Sequence, residues 1–157
     1  MSEKKEKINI FISHTGKDEK NIEPFKKLLS KDYDVRDSSI IETEPNRAKD
    51  KEYIKNQILK PQIDWAGTVV VLIGKDTKES DWVKWEAEYA NMQGKRVVSV
   101  YTEGASDSDL SEEIKDLSDS IASWNRESII NAINGDNIQQ DSSGNTIQRN
   151  NSNRINC

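Results

Sequence analysis

"TVVVLIGKDTKESDWVKWEAEYA", residues 68–90, is the stretch that decides the fold. It opens with an unbroken apolar run, rich in β-branched residues, that stops at Gly74. A strand apolar on both faces belongs in the middle of a parallel sheet, with helices above and below it. Ser80 or Asp81 then offers a side-chain oxygen to the free N–H groups of a starting helix, and Gly94 suits its end. Within that helix Trp82, Trp85, Glu86 and Tyr89 recur at helical spacing and share one side. Val83, Ala87 and Ala90 form a neighbouring stripe, small enough to lie close on a sheet. Glu86 is therefore expected among three large rings, and Glu88 in water.

On the amino-terminal side, "INIFIS" (8–13) reads as a buried strand. In "GKDEKNIEPFKKLLS" (16–30) Ile22, Phe25, Leu28 and Leu29 fall on one helical face, and Asp18 and Glu19 suit the positive end of the helix. "YDVRD" (33–37) is a second strand, followed by a polar loop to residue 52. "YIKNQILK" (53–60) carries a helical stripe and is expected to end at Pro61. On the carboxyl side, "RVVSVYT" (96–102) is a strand, "DLSEEIKDLSDS" (109–120) holds a short helix, "IASW" (121–124) is a short fifth strand and "NRESIINAI" (125–133) a closing helix. Strand and helix in alternation predict an α/β flavodoxin-like fold, a five-stranded parallel sheet with helices on both faces. Such sheets bind ligands outside the carboxyl ends of their strands, near the point where strand order reverses. That rule selects "SHTGKDE", "DSSIIETE" and "GKDTKESDW".

Bulk properties narrow the function. The net charge is -5, and the lysines are interleaved with acids, which argues against a nucleic-acid surface. No run approaches the ~20 apolar residues of a membrane span. The single cysteine, Cys157, permits no disulfide within the chain, and the charged start lacks a long apolar stretch of the secretory type. These features point to the cytoplasm. A lone histidine makes a zinc site a poor expectation, and no metal is expected.

The chain is expected to divide into a short flexible start (1–7), a domain (8–133) and a polar low-complexity tail (134–157). In the tail "GDNIQQ" (135–140), "GNTIQR" (144–149) and "SNRINC" (152–157) repeat a pattern around Ile138, Ile147 and Ile155. Two readings stand open: a disordered polar segment, or a β-arch or amyloid-like stack of Asn/Gln ladders and spaced isoleucines.

The candidate site residues follow from the strand ends. Glu86 is either a snorkelling acid on an amphipathic helix or a carboxylate in a partly apolar cleft. In a cleft its influence on a developing positive charge exceeds what it has in water. Ser13, His14, Thr15 and Gly16 form a loop entering a helix, where backbone amides can hold phosphate. The plain alternative for His14 is a loop or cap residue. Asp37 and Ser38 follow the second strand and serve either the same pocket or an Asx-type turn. Gly74 is read as a tight-turn glycine, since no full glycine fingerprint is present.

"FISHTGKD", "VVVLIGKDTKESDWVKWEAEYA" and "GKRVVSVY" resemble the bacterial TIR-like domains of the Thoeris anti-phage defence type, over roughly residues 8–133. The resemblance implies a flavodoxin-like fold and cleavage of NAD as substrate, with no separate cofactor, to nicotinamide and an ADP-ribose or cyclic ADP-ribose-type signal. It places the catalytic carboxylate at Glu86, and Ser13, His14, Thr15 and Gly16 along the NAD pocket. Asp37 and Ser38 are expected to face that pocket, and Trp82 and Trp85 to stack on a flat base and exclude water. The tail resembles the amyloid-signalling motifs of bacterial immune proteins, which implies self-assembly or a downstream effector protein. Two other readings fit the sequence: a non-catalytic TIR-like adaptor acting through the tail, and a nucleoside deoxyribosyltransferase-like enzyme with the same fold and a glutamate.

Overall fold

The structure is a computed structural model that describes residues 8–29, 33–37 and 54–147. Strands β1 (Ile8–Ser13), β2 (Tyr33–Asp37), β3 (Thr68–Ile73), β4 (Arg96–Tyr101) and β5 (Ser120–Ala122) form one sheet in the order β2-β1-β3-β4-β5. All neighbours run parallel. Helices α1 (Ile22–Leu28), α2 (Lys60–Trp65), α3 (Asp81–Met92), α4 (Glu112–Leu117) and α5 (Arg126–Ile133) connect and cover it. This is the flavodoxin-like arrangement, with strand order reversing between β1 and β3.

The alternation of side chains along each strand builds two cores. Phe11, Val69, Val71, Ile73, Val97 and Ile121 pack on one face against Ile63 of α2, Val83, Ala87 and Ala90 of α3, and Ile114 of α4. Ile10, Ile12, Val70, Leu72, Val98 and Val100 pack on the other against Ile22 and Phe25 of α1 and Ile129, Ala132 and Ile133 of α5. Every residue of β3 is buried, as its continuous apolar run requires. The register sets Ser13 beside Val71, on the same side of β1 as Phe11. Ser13 thus points toward the α2/α3 layer.

Pro61 does not end the second helix. Wide π-helical turns run from Ile54 to Leu59, and α2 continues through Pro61 to Trp65. The proline lies in the first turn of the α-helical segment, the one place in a helix where a missing N–H and a fixed φ are tolerated. The change from π to α geometry falls just before it. The helix is kept because Leu59 and Ile63 bury fully against the sheet. The polar loop expected after β2 lies outside the described residues.

The chain does not leave the fold at Ile133. Gly135 takes a left-handed φ of 115°, and the following residues run along β5. Ile121 donates its N–H to Ile138 O (2.8 Å), and Gln140 N–H returns to Ile121 O (2.9 Å). Ile138 rests on the α1/α5 core. A turn closed by Asp141 then brings Thr146 back antiparallel to Gln140. The first repeat unit is thus an added edge of the sheet, and the second doubles back on it. Residues 148–157, with the third unit, lie outside the described residues.

Candidate functional site

Helix α3 starts with Ser80 as its N-cap, whose side chain accepts from Val83 N–H (3.2 Å). That cap fixes the helix just behind the carboxyl end of β3. One turn on, Glu86 is 0% exposed and belongs to the stripe of Val83, Ala87 and Ala90 that faces the sheet. This corrects the expectation that it shares the ring face. Helical spacing relates Glu86 equally to Trp82 and Tyr89 and to Val83 and Ala90, so periodicity alone does not choose between the two sides. Packing chooses: Trp82, Trp85 and Tyr89 are too large for the layer against the sheet and stay half-buried on its flank.

Glu86 Oε1 accepts a hydrogen bond from Ser13 Oγ at 2.5 Å, joining α3 to the end of β1. Ser13 is itself 0% exposed. Among the described residues Glu86 Oε2 has no hydrogen-bond partner. Burial pushes the Glu86 carboxyl up to about 8, while the Ser13 hydrogen bond and the positive charge of His14 act in the opposite direction. His14, 8% exposed, has Nδ1 2.7 Å from Thr15 O. A carbonyl only accepts, so Nδ1 carries a proton. The corner therefore holds a buried carboxyl with one oxygen fixed and one oxygen without a donor, beside an imidazole.

The other expected residues divide. The Thr15 hydroxyl donates to Asp18 Oδ2 (3.1 Å), which ties it to the structure of the loop. Gly16 opens the 3-10 turn Gly16–Asn21 and is exposed. Asp37 ends β2 opposite Ile12, near the same end of the sheet; its side chain and Ser38 lie outside the described residues. Trp85 stacks on Tyr89 with ring centroids 5.4 Å apart, and the Tyr89 hydroxyl donates to Asp64. These rings border a cavity of about 460 Å³ with Lys60 and Met92, on the outer side of α3, and Glu86 does not line it. The structure thus joins Ser13, His14 and Glu86, and sets Trp85 apart from them.

Asp18 was expected only to favour a helix start. Its side chain is buried, accepting from Thr15 and Asn21 and lying near Thr77 Oγ1. A Cβ on Gly74 would collide with this carboxylate, and Gly74 is not among the glycines with positive φ. Gly74 opens the tight turn expected of it, with Thr77 N–H bonded to its carbonyl (3.2 Å), and it also permits the close approach of Asp18. Thr77 also accepts from Gly74 N–H (2.8 Å), so the loop after β1 and the turn after β3 are locked together. A cavity of about 450 Å³ opens beside them, with Lys17, Lys75 and Glu103 in its walls. No local motif announces this lock; only the crossing of two strand ends does.

Residues 11–107 match the family described as Thoeris protein ThsB, TIR-like domain. The chain belongs to this family. No curated protein matches it. The match to the Thoeris TIR-like domain runs from Phe11 in β1 past the end of β4. It takes in Ser13, His14 and the whole of α3, and leaves β5, α5 and the tail outside. Among the described residues of this TIR-like domain no helix is long and apolar enough to cross a membrane.

Proposed function

We propose that this TIR-like domain cleaves NAD in the cytoplasm at the bond between nicotinamide and ribose, with Glu86 as the catalytic carboxylate. The observation that carries the reading is Glu86 Oε2, a buried acceptor with no donor among the described residues. Native structures rarely leave such an atom unpaired, because it costs about 1–3 kcal/mol, and a catalytic role is one of the reasons an exception is kept. A ribose hydroxyl can supply the missing donor.

In the reaction the C1′–N bond breaks and its electron pair leaves with nicotinamide, which departs neutral and needs no proton. The sugar becomes oxocarbenium-like, and Glu86 balances its charge. A water oxygen, or a nitrogen of the same dinucleotide, then bonds to C1′ and gives up its proton or positive charge. The products are nicotinamide and an ADP-ribose or cyclic ADP-ribose-type signal. Because burial holds Glu86 up near 8, the empty site is mostly neutral at pH 7. The cationic nicotinamide ring favours the ionised form, so binding and loss of the proton are coupled. His14 adds positive charge on the opposite side of the balance.

The test is mass spectrometry of products after incubating the full chain with NAD, alongside Glu86→Gln. Nicotinamide from the wild type and at least about 100-fold less from the variant is the expected result. Equal release from both would remove Glu86 from the mechanism, and a nucleoside panel run in parallel checks transfer from other glycosidic bonds. A second reading, a non-catalytic adaptor, draws on the hairpin of residues 138–147, which offers a ready surface on the sheet edge for self-assembly or an effector protein. Absence of nicotinamide from the wild type, together with capture of a partner lost on changing that hairpin, would favour it.

A further inference from the structure

We propose that Ser13 is the positioning residue of this site: its hydroxyl fixes Glu86 Oε1, so that Oε2 alone is presented to the ligand. The pairing stands on geometry; the identity of the ligand rests on the NAD reading above.

Ser13 sits at the last position of β1, held in register with Val71 of the fully buried β3. Its backbone therefore cannot drift, and strand alternation aims its side chain at α3. Like Glu86 it is 0% exposed, and its Oγ lies 2.5 Å from Oε1, so its hydroxyl is committed to the carboxyl. A carboxyl side chain swings about its last torsion with little preference, since that torsion is broad. One hydrogen bond from a rigid strand removes the freedom. The two oxygens then stop being equivalent: Oε1 is occupied, and Oε2 keeps its full capacity to accept from a sugar hydroxyl or to face a cationic carbon. A one-ångström misplacement of such a group is enough to slow a reaction by about 100-fold.

Among the described residues, Ser13 and His14 are the groups that act on Glu86. On α2, Asp64 bonds the Tyr89 hydroxyl and Lys60 lies over the Tyr89 ring. On α4, Glu113 pairs with Lys84 at 3.1 Å. The hydrogen bond from Ser13 also favours the ionised carboxylate, so its loss has a sign that can be read directly.

The experiment titrates the Glu86 side-chain carboxyl by carbon-13 NMR in the full chain, assigned by its disappearance in Glu86→Gln. Wild type, Ser13→Ala and Ser13→Thr are compared. The expected result is a midpoint that moves to higher pH in Ser13→Ala and returns toward the wild type in Ser13→Thr, which keeps the hydroxyl. With NAD, Ser13→Ala should lower kcat far more than it raises KM, and its pH profile should move in the same direction as the titration. An unmoved midpoint in a folded Ser13→Ala protein overturns the proposal, as does a raised KM with kcat and midpoint unchanged, which would make Ser13 a substrate contact. If Ser13→Ala does not fold, Ser13→Cys fills the same space with a much weaker donor and gives the same readout. Should the wild type release no nicotinamide, the NAD reading fails while the titration still decides the role of Ser13.

Discussion

Glu86 and the segment 136–147 bring polar groups onto the same sheet in opposite ways. Glu86 is carried into an apolar layer and keeps one oxygen without a donor. The segment is made mostly of Asn, Gln, Ser, Asp and Gly, yet it stays on β5 because its groups are matched. Arg96 reaches Asp136 O and Ser120 Oγ, Gln139 Nε2 donates to Asp119 O, and Gln140 Oε1 accepts from Ser123 N and Oγ. Asp141 Oδ1 takes the N–H groups of Ser143 and Asn145 to close the turn. Polarity therefore does not decide whether a segment folds; satisfaction of its hydrogen bonds does. The one buried side-chain atom left unsatisfied among the described residues is then the exception that points to chemistry.

Glu86→Gln tests the exception with the largest expected effect. Activity on NAD should fall at least about 100-fold, while stability at alkaline pH should rise. The folded carboxyl ionises near 8 and the unfolded one near 4.5. Below 4.5 both forms are protonated and burial carries no ionic penalty. Between the two values the unfolded chain releases its proton and the folded chain keeps it, so stability falls as pH rises, by up to about 1.4 kcal/mol per pH unit. Above 8 the loss levels off. Denaturation of wild type and variant at pH 4 and pH 9 checks this: the wild type should lose several kcal/mol that Glu86→Gln retains. For activity the same carboxyl gives a kcat/KM that rises with pH and flattens near 8.

The fold was legible because its central strand is apolar on both faces and its neighbours alternate with amphipathic helices. Residues 68–74 led to β3, and β1, β2, β4, β5 and the helices around them fell close to their expected ranges. Pro61 misled because a proline in a first turn reads like a proline at an end. Glu86 was singled out by type and by resemblance, but its orientation was not legible, since helical spacing serves both faces of α3 equally. The pairing with Ser13 was out of reach because the two residues lie in different elements. The tail was hardest: composition records how polar a segment is, not where its donors and acceptors find partners.

Gly74→Ala probes a buried carboxylate that, unlike Glu86, is paired. The added Cβ runs into the Asp18 side chain, which is held by Thr15 and Asn21 and cannot retreat without breaking those bonds. Overpacking of this kind costs about 1–3 kcal/mol, and the upper end is expected here. Thermal denaturation measures it, and Gly74→Ala in an Asp18→Ala background should recover part of the loss. Arg96→Met comes next. The guanidinium donates to Ala132 O at 2.7 Å and Asp136 O at 2.7 Å, so it clamps the end of α5 to the start of the added edge. Losing charged hydrogen bonds at a half-buried site should cost about 2 kcal/mol. Hydrogen exchange at the Ile121 amide should speed up with it, because that N–H is bonded to Ile138 O.

Gln140→Ala has the smallest expected effect and separates the two regions most cleanly. The Gln140 side chain accepts from Ser123 N at 3.0 Å and Ser123 Oγ at 3.1 Å, at a residue only 7% exposed. Truncation leaves that N–H with no acceptor, but the backbone bonds between Ile121 and the segment remain, so the loss should stay near 1 kcal/mol. Amide exchange should quicken at Ser123 and change little in β3 or α3. Glu86 has no shared partner with Gln140 and lies in a different layer contact, so the two substitutions should add without coupling. A Glu86 titration that moves in Gln140→Ala would show the added edge and the carboxylate corner to be one mechanical unit. An unmoved titration with faster exchange at Ser123 means that the segment can loosen while the corner keeps its geometry.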